Sequence, residues 1–140
     1  KSIPERDYVA GVVFRKEKVL IRRRPAKGLL GGLWEFPGGR VDLDGSARGF
    51  EKKIKGALQK EIPWRVEQWA PLGKIKHTFT HFKMTLHVFS GRMDHRPSKN
   101  TDEQKWVGLE ELSSYAFSSA HQKILLKLKQ PQEKQQPLFS

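Results

Sequence analysis

A segment dense in glycine and proline separates two strand-like patterns from the first helical pattern, and it limits what this chain can fold into. The segment runs from Pro25 to Ser46 as PAKGLLGGLWEFPGGRVDLDGS and holds six of the twelve glycines of the chain. Glycine and proline interrupt regular elements, so a stretch of this composition is expected to be a structured loop. The embedded LWEF is apolar enough to form one very short strand inside it.

Apolar periodicity before and after this loop predicts strands and one helix. The run YVAGVVF (8–14) is typical of a central strand that is buried on both faces. VLIRRR (19–24) predicts a second strand, paired with the first in a hairpin. A helix is expected from about Ala47 to Ile62, because its apolar residues recur at helical spacing. Ser46 is the expected N-cap, and Pro63 ends the helix.

The second half of the chain predicts more strands and one more helix. Strand character extends from about Val66 to Phe79, and alternating apolar residues follow His81. The segment HTFTH breaks this alternation and is therefore the expected turn between two long strands. KWVGL is a short strand, and SSAHQKILLKLK is a helix in which Ser119 and Gln122 match a capping box. This order predicts an α/β sandwich with a mixed sheet and two main helices. We expect one domain over residues 1–130 and a flexible polar tail over residues 131–140.

The charge balance favours a polyanionic partner. There are 27 Lys and Arg against 15 Asp and Glu, a net charge of +12. Such an excess is typical of proteins that bind nucleic acid or an anionic membrane surface. No apolar run approaches the roughly 18 residues that a membrane helix needs, so no membrane partner is expected. With no cysteine, the sequence excludes disulfides, thiolate metal sites and a cysteine nucleophile.

The stretch GLLGGLWEFPGGRVD closely resembles the entrance to the Nudix box, the loop–helix–loop that binds a divalent metal and a diphosphate in Nudix hydrolases. The carboxylates of that box serve Mg²⁺, which prefers several hard oxygen ligands. Here only Glu61 stands in place among the acids of the box, and Lys60 replaces its paired Glu. Glu51 and Glu61 are the only acids in the expected helix. The resemblance therefore implies a Nudix-like α/β/α sandwich whose metal site and hydrolytic activity are lost.

The lysines of the same helix allow two interpretations. Lys52, Lys53, Lys55 and Lys60 form either an ordinary solvated basic face or a set of contacts to the DNA backbone. In both cases Glu35 and Glu61 would be structural. An active Nudix hydrolase that acts on oxidised nucleotides stays open as an alternative, as does a protein-interaction module without catalysis.

A degenerate Nudix box followed by HTFTH (His77–His81) resembles the C-terminal domain of adenine DNA glycosylases of the MutY type. In that family the enzyme removes adenine mispaired with 8-oxoguanine in double-stranded DNA. The resemblance implies that this chain recognises 8-oxoguanine, carries no catalytic residue and holds no cofactor or metal. The missing N-terminal domain would cut the glycosidic bond and carry the 4Fe-4S cluster. The resemblance also implies a cytoplasmic, nucleoid-associated bacterial protein.

The chemistry of 8-oxoguanine suits the residue types in HTFTH. This base differs from guanine by a carbonyl at C8 and a proton on N7, so its reader needs both an acceptor and a donor. A hydroxyl supplies both, and Thr80 stands where the family commonly has Ser. Phe79 could wedge or stack at the lesion, and His77 and His81 could contact phosphate or brace the loop. Otherwise these are half-buried strand side chains, or His77, His81 and His87 share a metal ion.

The tail contains QQPLF, which resembles the short peptide by which bacterial repair proteins dock on the sliding clamp. Gln135 would form hydrogen bonds at the rim of the clamp pocket, and Leu138 and Phe139 would fill it.

Overall fold

The computed structural model describes residues 3–28, 31–43, 49–94 and 100–129. Among these residues seven strands, two α-helices and one 3₁₀ helix form an α/β/α sandwich, which confirms the expected fold class. The expected cap Ser46 and the tail with Gln135, Leu138 and Phe139 lie outside the described residues. In chain order the elements are β1 (Glu5–Arg15), β2 (Lys18–Arg23), β3 (Trp34–Glu35), β4 (Gly38–Val41), α1 (Phe50–Lys60), β5 (Glu67–Thr78), β6 (Lys83–Arg92), β7 (Gln104–Gly108), the 3₁₀ helix (Leu109–Ser114) and α2 (Ser119–Leu128).

The sheet is mixed, and β1 lies at its centre. β1 pairs in parallel with β6 over ten residues, from Glu5↔Lys83 to Phe14↔Arg92. It also pairs antiparallel with β4 and, at its end, with β2. β2 continues to β3 and β7, while β5 pairs antiparallel with β6 at the other edge. The β1–β2 hairpin is the one that the sequence predicts.

The core lies on both faces of β1, which explains the continuous apolar run of this strand. Val9 packs with Ile54 and Leu58 of α1 on one face. Ala10 and Val12 pack on the other face with residues of α2, among them Ile124 and Leu125. Because neighbouring strand residues point to opposite faces, a strand covered on both sides has no position left for polar residues.

Helix α1 is shorter than the sequence suggests. It spans Phe50–Lys60 rather than residues 47–62, and Gly49 precedes it with φ +75°. That left-handed conformation carries almost no strain in glycine, so the helix begins there. Glu61 is the C-cap, two residues before Pro63, because the residue before a proline disfavours helical torsion angles.

Helix α2 lacks the expected capping box. The N-cap is Ser118, one residue earlier than the pattern suggests, and its side chain makes no capping hydrogen bond. Ser119 is the first helical residue, and the side-chain amide of Gln122 donates to the Phe117 carbonyl. The capping-box interpretation is therefore wrong, and the Ser119 hydroxyl is left for a different contact.

Candidate functional site

The HTFTH turn (His77–His81) connects β5, at one edge of the sheet, to its neighbour β6. The last pair of β5 and β6 is Thr78↔Lys83, and the Phe79 amide donates to the Phe82 carbonyl at 2.8 Å. This bond closes a four-residue turn that leaves Thr80 and His81 exposed at its tip. The expected strand before the turn is confirmed with a difference of one residue at each end. The expected turn between two long strands is confirmed as well.

Phe79 packs inside the domain instead of projecting from it. Its ring stacks on Phe82 with centroids 4.8 Å apart, and it meets the His77 ring edge-on at 4.6 Å. The Phe82 ring in turn stacks on Tyr8 and lies under the Arg6 guanidinium. Phe79 is half-buried, so only part of its ring remains available to a base. Its contacts with Phe82 and His77 favour one conformation of the turn.

His77 braces the turn against α2. Its Nε2 lies 3.2 Å from the Ser119 hydroxyl, and the Lys123 ammonium donates to the Lys76 carbonyl at 3.0 Å. Burial of the imidazole, together with the Lys123 charge, lowers the pKa of His77. A neutral ring at physiological pH fits a brace better than a contact to phosphate.

The three histidines considered for a metal site do not converge. His87 lies on β6 and is buried, with its Nε2 2.9 Å from a carboxylate oxygen of Asp7. His77 pairs with Ser119 instead, and His81 is exposed at the tip of the turn. Within the described ranges no group of three His, Cys, Asp or Glu side chains could hold a metal ion. In this arrangement the three histidines do not form a shared metal site.

An aromatic cleft of about 100 Å³ opens beside the HTFTH turn. His121 of α2 lies in its wall and is 8% exposed. Its Nδ1 accepts a hydrogen bond from the Phe36 amide at 3.1 Å, so the proton of the neutral ring is on Nε2. Burial lowers the pKa of His121 to about 4; Glu35 acts against this shift, and Arg24 and Arg22 add to it. The apolar part of the wall consists mainly of Tyr8, Phe36, Phe79, Phe82, Met84 and Leu86.

Glu35 and Glu61, the two acids expected to be structural, are held in ion pairs. Glu35 is buried, and its two carboxylate oxygens pair with Arg22 and Arg24, each at 2.9 Å. Arg22 also pairs with Glu61 at 2.9 Å and donates to the Gly38 carbonyl. Removing one arginine would leave the buried Glu35 carboxylate with one partner fewer, which typically costs about 1–3 kcal/mol. Gly38 has to be glycine here, because a Cβ would lie 1.9 Å from the Val9 carbonyl oxygen.

A basic groove of about 520 Å³ runs along α1. Lys52, Lys53 and Lys60 line it together with Arg40 of β4, whereas Lys55 is not among the lining residues. Lys55 instead pairs with Glu51 one helical turn earlier, at 3.6 Å. The structure thus brings together three of the four expected DNA-contacting lysines. Val9 and Gly39 line both the groove and the aromatic cleft, so the two lie on either side of the same strands.

Arg22, Arg40 and His121 were not identified as site residues from the sequence. Arg22 stands in a run of three arginines, and its partner Glu61 is 39 residues away. His121 lies in an ordinary amphipathic helix pattern. In each case the decisive information is which strands and helices are neighbours, and no local pattern carries it. Arg40 is the exception, because its positive charge next to the glycines of β4 is visible in the sequence.

Comparisons with known proteins agree with the Nudix-like fold of the chain. A family model described as NUDIX domain matches residues 9–127. The adenine DNA glycosylase of Mus musculus is 35% identical over 108 residues, which is 76% of this chain and 21% of that protein. The chain thus spans about a fifth of the length of that relative. The 8-oxo-dGTP diphosphatase of Proteus vulgaris is 37% identical over 81 residues, which cover 57% of this chain and 70% of that one.

A solved structure also resembles the chain along almost its whole length. It is the complex between the C-terminal domain of mouse MUTYH and human PCNA, with a TM-score of 0.64 and 26% identity. The match covers 94% of this chain and 89% of the other. Across the described segments no helix is long and apolar enough to span a membrane.

Proposed function

The chain belongs to the NUDIX domain family, and from this premise we propose that it is the 8-oxoguanine-recognition and DNA-binding domain of an adenine DNA glycosylase. The observation that carries the proposal is the exposed position of Thr80 at the tip of a turn that His77 and Phe79 hold in place. In the parent enzyme a separate N-terminal domain, with its 4Fe-4S cluster, would remove adenine opposite 8-oxoguanine. An enzyme of this kind acts on chromosomal DNA, which in a bacterium lies in the nucleoid, within the cytoplasm.

A braced hydroxyl suits the recognition of this lesion. The Thr80 oxygen can accept a hydrogen bond from N7–H of 8-oxoguanine, and its hydrogen can be donated to O8. Guanine offers an acceptor at N7 and no oxygen at C8, so it satisfies the hydroxyl less well. A rigid turn loses little conformational entropy on binding, which improves the affinity of a small contact.

The basic groove supplies the second part of the proposal. Lys52, Lys53, Lys60 and Arg40 would contact backbone phosphates, which position a duplex without reading its sequence. Lys55 is excluded from this set, because it does not line the groove and pairs with Glu51. Phosphate contacts of this kind release counterions from the DNA and make binding strongly dependent on salt.

An alternative function is hydrolysis of oxidised nucleotides, and the identity with an 8-oxo-dGTP diphosphatase favours it. The residues present do not fit the divalent metal that such an activity implies. Glu35 and Glu61 are paired with arginines, and lysines line the adjacent groove. The glycosylase domain is therefore the better proposal.

A sliding clamp is the proposed protein partner. The similar domain of mouse MUTYH was solved in a complex with human PCNA. In this chain the docking peptide would be Gln135, Leu138 and Phe139 of the tail.

Salt dependence distinguishes DNA binding from a purely protein-binding role. The chain is titrated into labelled duplexes that contain 8-oxoguanine opposite adenine, and fluorescence anisotropy is recorded over a series of salt concentrations. We expect log K to fall with log[salt] with a slope of roughly −3 or steeper, as three or more phosphate contacts require. Undetectable binding at low salt, or an affinity that does not respond to salt, would instead indicate a protein-interaction module.

A further inference from the structure

One positively charged side chain lies where α1, β3 and β4 meet. The Arg22 guanidinium donates through Nε to Glu35, through Nη1 to Glu61 and through Nη2 to the Gly38 carbonyl. Two carboxylates and one backbone carbonyl, from three different parts of the fold, therefore share a single cation. Oxygen atoms of these types are the ones that Mg²⁺ and Ca²⁺ use as ligands.

We propose that Arg22 is the permanent cation of this site and takes the place of a divalent metal. Its planar guanidinium carries five N–H donors in a fixed geometry and can bind several oxygen acceptors at once. The group is covalently attached and always charged, so the junction of α1 with β3 and β4 forms without Mg²⁺. This inference does not depend on DNA binding, because it concerns only the ions that the site accepts.

The charges around Arg22 exclude a second cation. Both oxygens of Glu35 are already paired, one with Arg22 and the other with Arg24. Glu61 uses Oε1 for Arg22 and turns Oε2 towards Gly39 at the groove, where a Cβ on Gly39 would lie 3.9 Å from it. An incoming Mg²⁺ would find the second oxygen of Glu61 and the carboxylate of Asp42 in a groove that four basic residues also line, and these repel it: Arg40, Lys52, Lys53 and Lys60. Two carboxylates, one of them already paired with Arg22, make a poor site among four basic residues, because Mg²⁺ demands six oxygen ligands in near-ideal octahedral geometry.

The first test is a titration of the ¹⁵N-labelled chain with Mn²⁺, whose unpaired electrons broaden nearby amide signals. We expect no saturable broadening at Gly38, Gly39 or Glu61 up to millimolar Mn²⁺. Saturable broadening centred on these three amides in the wild-type chain would overturn the proposal.

The second test removes the guanidinium. Arg22→Met should lower Tm by several degrees in the absence of metal, because Glu35 and Glu61 then lose their shared partner. Mn²⁺ should recover part of that loss. Arg23→Met is the matched control, since Arg23 is exposed and its Nε donates to the Gly32 carbonyl away from the acids. Equal losses for the two variants would contradict the proposal.

A third variant covers the case in which Arg22→Met does not fold. Arg22→Lys keeps the charge but cannot reach all three acceptors, so its Tm should lie below that of the wild type and its Mn²⁺ response should stay absent. A wild-type Tm in Arg22→Lys would show that any cation suffices and that the three-way contact has no role.

Discussion

The Nε2 atom of His77 lies 3.2 Å from the hydroxyl of Ser119, and this contact joins the end of β5 to the first residue of α2 across 42 residues of sequence. The Lys123–Lys76 hydrogen bond lies beside it and ties the same two elements. The HTFTH turn is therefore attached to the body of the domain at its base, while its tip stays open to solvent. Such an arrangement keeps a recognition residue close to one position before its target arrives.

Thr80→Val should reduce the preference of the full-length glycosylase for adenine opposite 8-oxoguanine over adenine opposite guanine. Loss of a hydrogen-bonding side chain at such a position costs about 1–3 kcal/mol of discrimination. The measurement is the ratio of kcat/KM for the two mispairs. Thr78→Val, an exposed threonine two residues earlier, is the control and should leave the ratio unchanged. Phe79 is left intact because its ring supports the turn. A Thr80→Val ratio within about twofold of wild type contradicts the recognition role.

Replacing the groove lysines should lower the salt dependence of DNA binding. Lys52→Ala, Lys53→Ala and Lys60→Ala in one chain should reduce the slope of log K against log[salt] by up to about 3, since each phosphate contact contributes roughly 0.9. The control replaces Lys16, Lys18 and Lys55, which lie outside the groove lining and carry the same total charge. Anisotropy titrations measure both triple variants. Equal slopes would mean that net charge alone drives binding.

The stability of the domain should fall in mild acid because of His121. Folding lowers the pKa of His121 to about 4, whereas the unfolded chain has a value near 6.5. The unfolded state therefore binds the proton first as the pH falls. The free energy of unfolding is therefore unaffected by His121 above pH ~6.5. It falls between pH ~6.5 and pH ~4, by about 3 kcal/mol at most.

Urea denaturation at about pH 7 and about pH 4.5 tests this, with His121→Asn as the variant that does not titrate. The Asn Oδ1 is as many bonds from Cβ as the Nδ1 that it replaces, so it can accept the Phe36 amide proton. The wild type should lose more of its unfolding free energy between the two pH values than the variant does. Equal losses would assign the acid sensitivity to other groups.

The chain should not hydrolyse nucleotides. With Mg²⁺ and 8-oxo-dGTP, dGTP, ADP-ribose or dinucleoside polyphosphates, we expect no turnover in the ordinary enzyme range, because Glu35 and Glu61 are committed to arginines. The assay measures the products by chromatography. A rate of about 1 s⁻¹ or more that disappears in Glu61→Gln would make the domain an active hydrolase.

Leu138→Ala with Phe139→Ala should abolish capture of the chain by a bacterial sliding clamp. Two apolar anchors of this kind typically carry about 2 kcal/mol or more each at an interface. Leu126→Ala is the control, because Leu126 is a 67% exposed leucine on α2. A pull-down that the double substitution leaves unchanged refutes the assigned peptide.

Local patterns were sufficient for the parts of the fold that depend on local physics. The apolar run of β1 predicts a strand covered on both faces, and the break in alternation at HTFTH predicts the turn.

Ser119 was misassigned because a capping box identifies a helix start only to within a residue. The position of Lys55 outside the groove could have been predicted. At about 100° per residue, Lys52, Lys53 and Lys60 fall within one third of the helix circumference, and Lys55 lies outside it.

The ion-pair network could not be predicted from the sequence. Arg22 reaches Glu35 because β2 and β3 pair in the register Arg22↔Glu35, and it reaches Glu61 because α1 packs beside β4. Register and packing are properties of the assembled sheet. The tautomer of His121 could not be predicted either, because the backbone amide that fixes it belongs to Phe36, 85 residues away in the sequence.

The residues that hold α1 to the sheet are separate from those that line its groove. Ile54 and Leu58 are fully buried against β1, while Lys52, Lys53 and Lys60 are exposed or nearly so. Substitutions at such exposed positions usually change stability by no more than about 0.5 kcal/mol. An ancestral scaffold of this shape could therefore exchange acidic for basic groove residues one at a time and remain folded at every intermediate step.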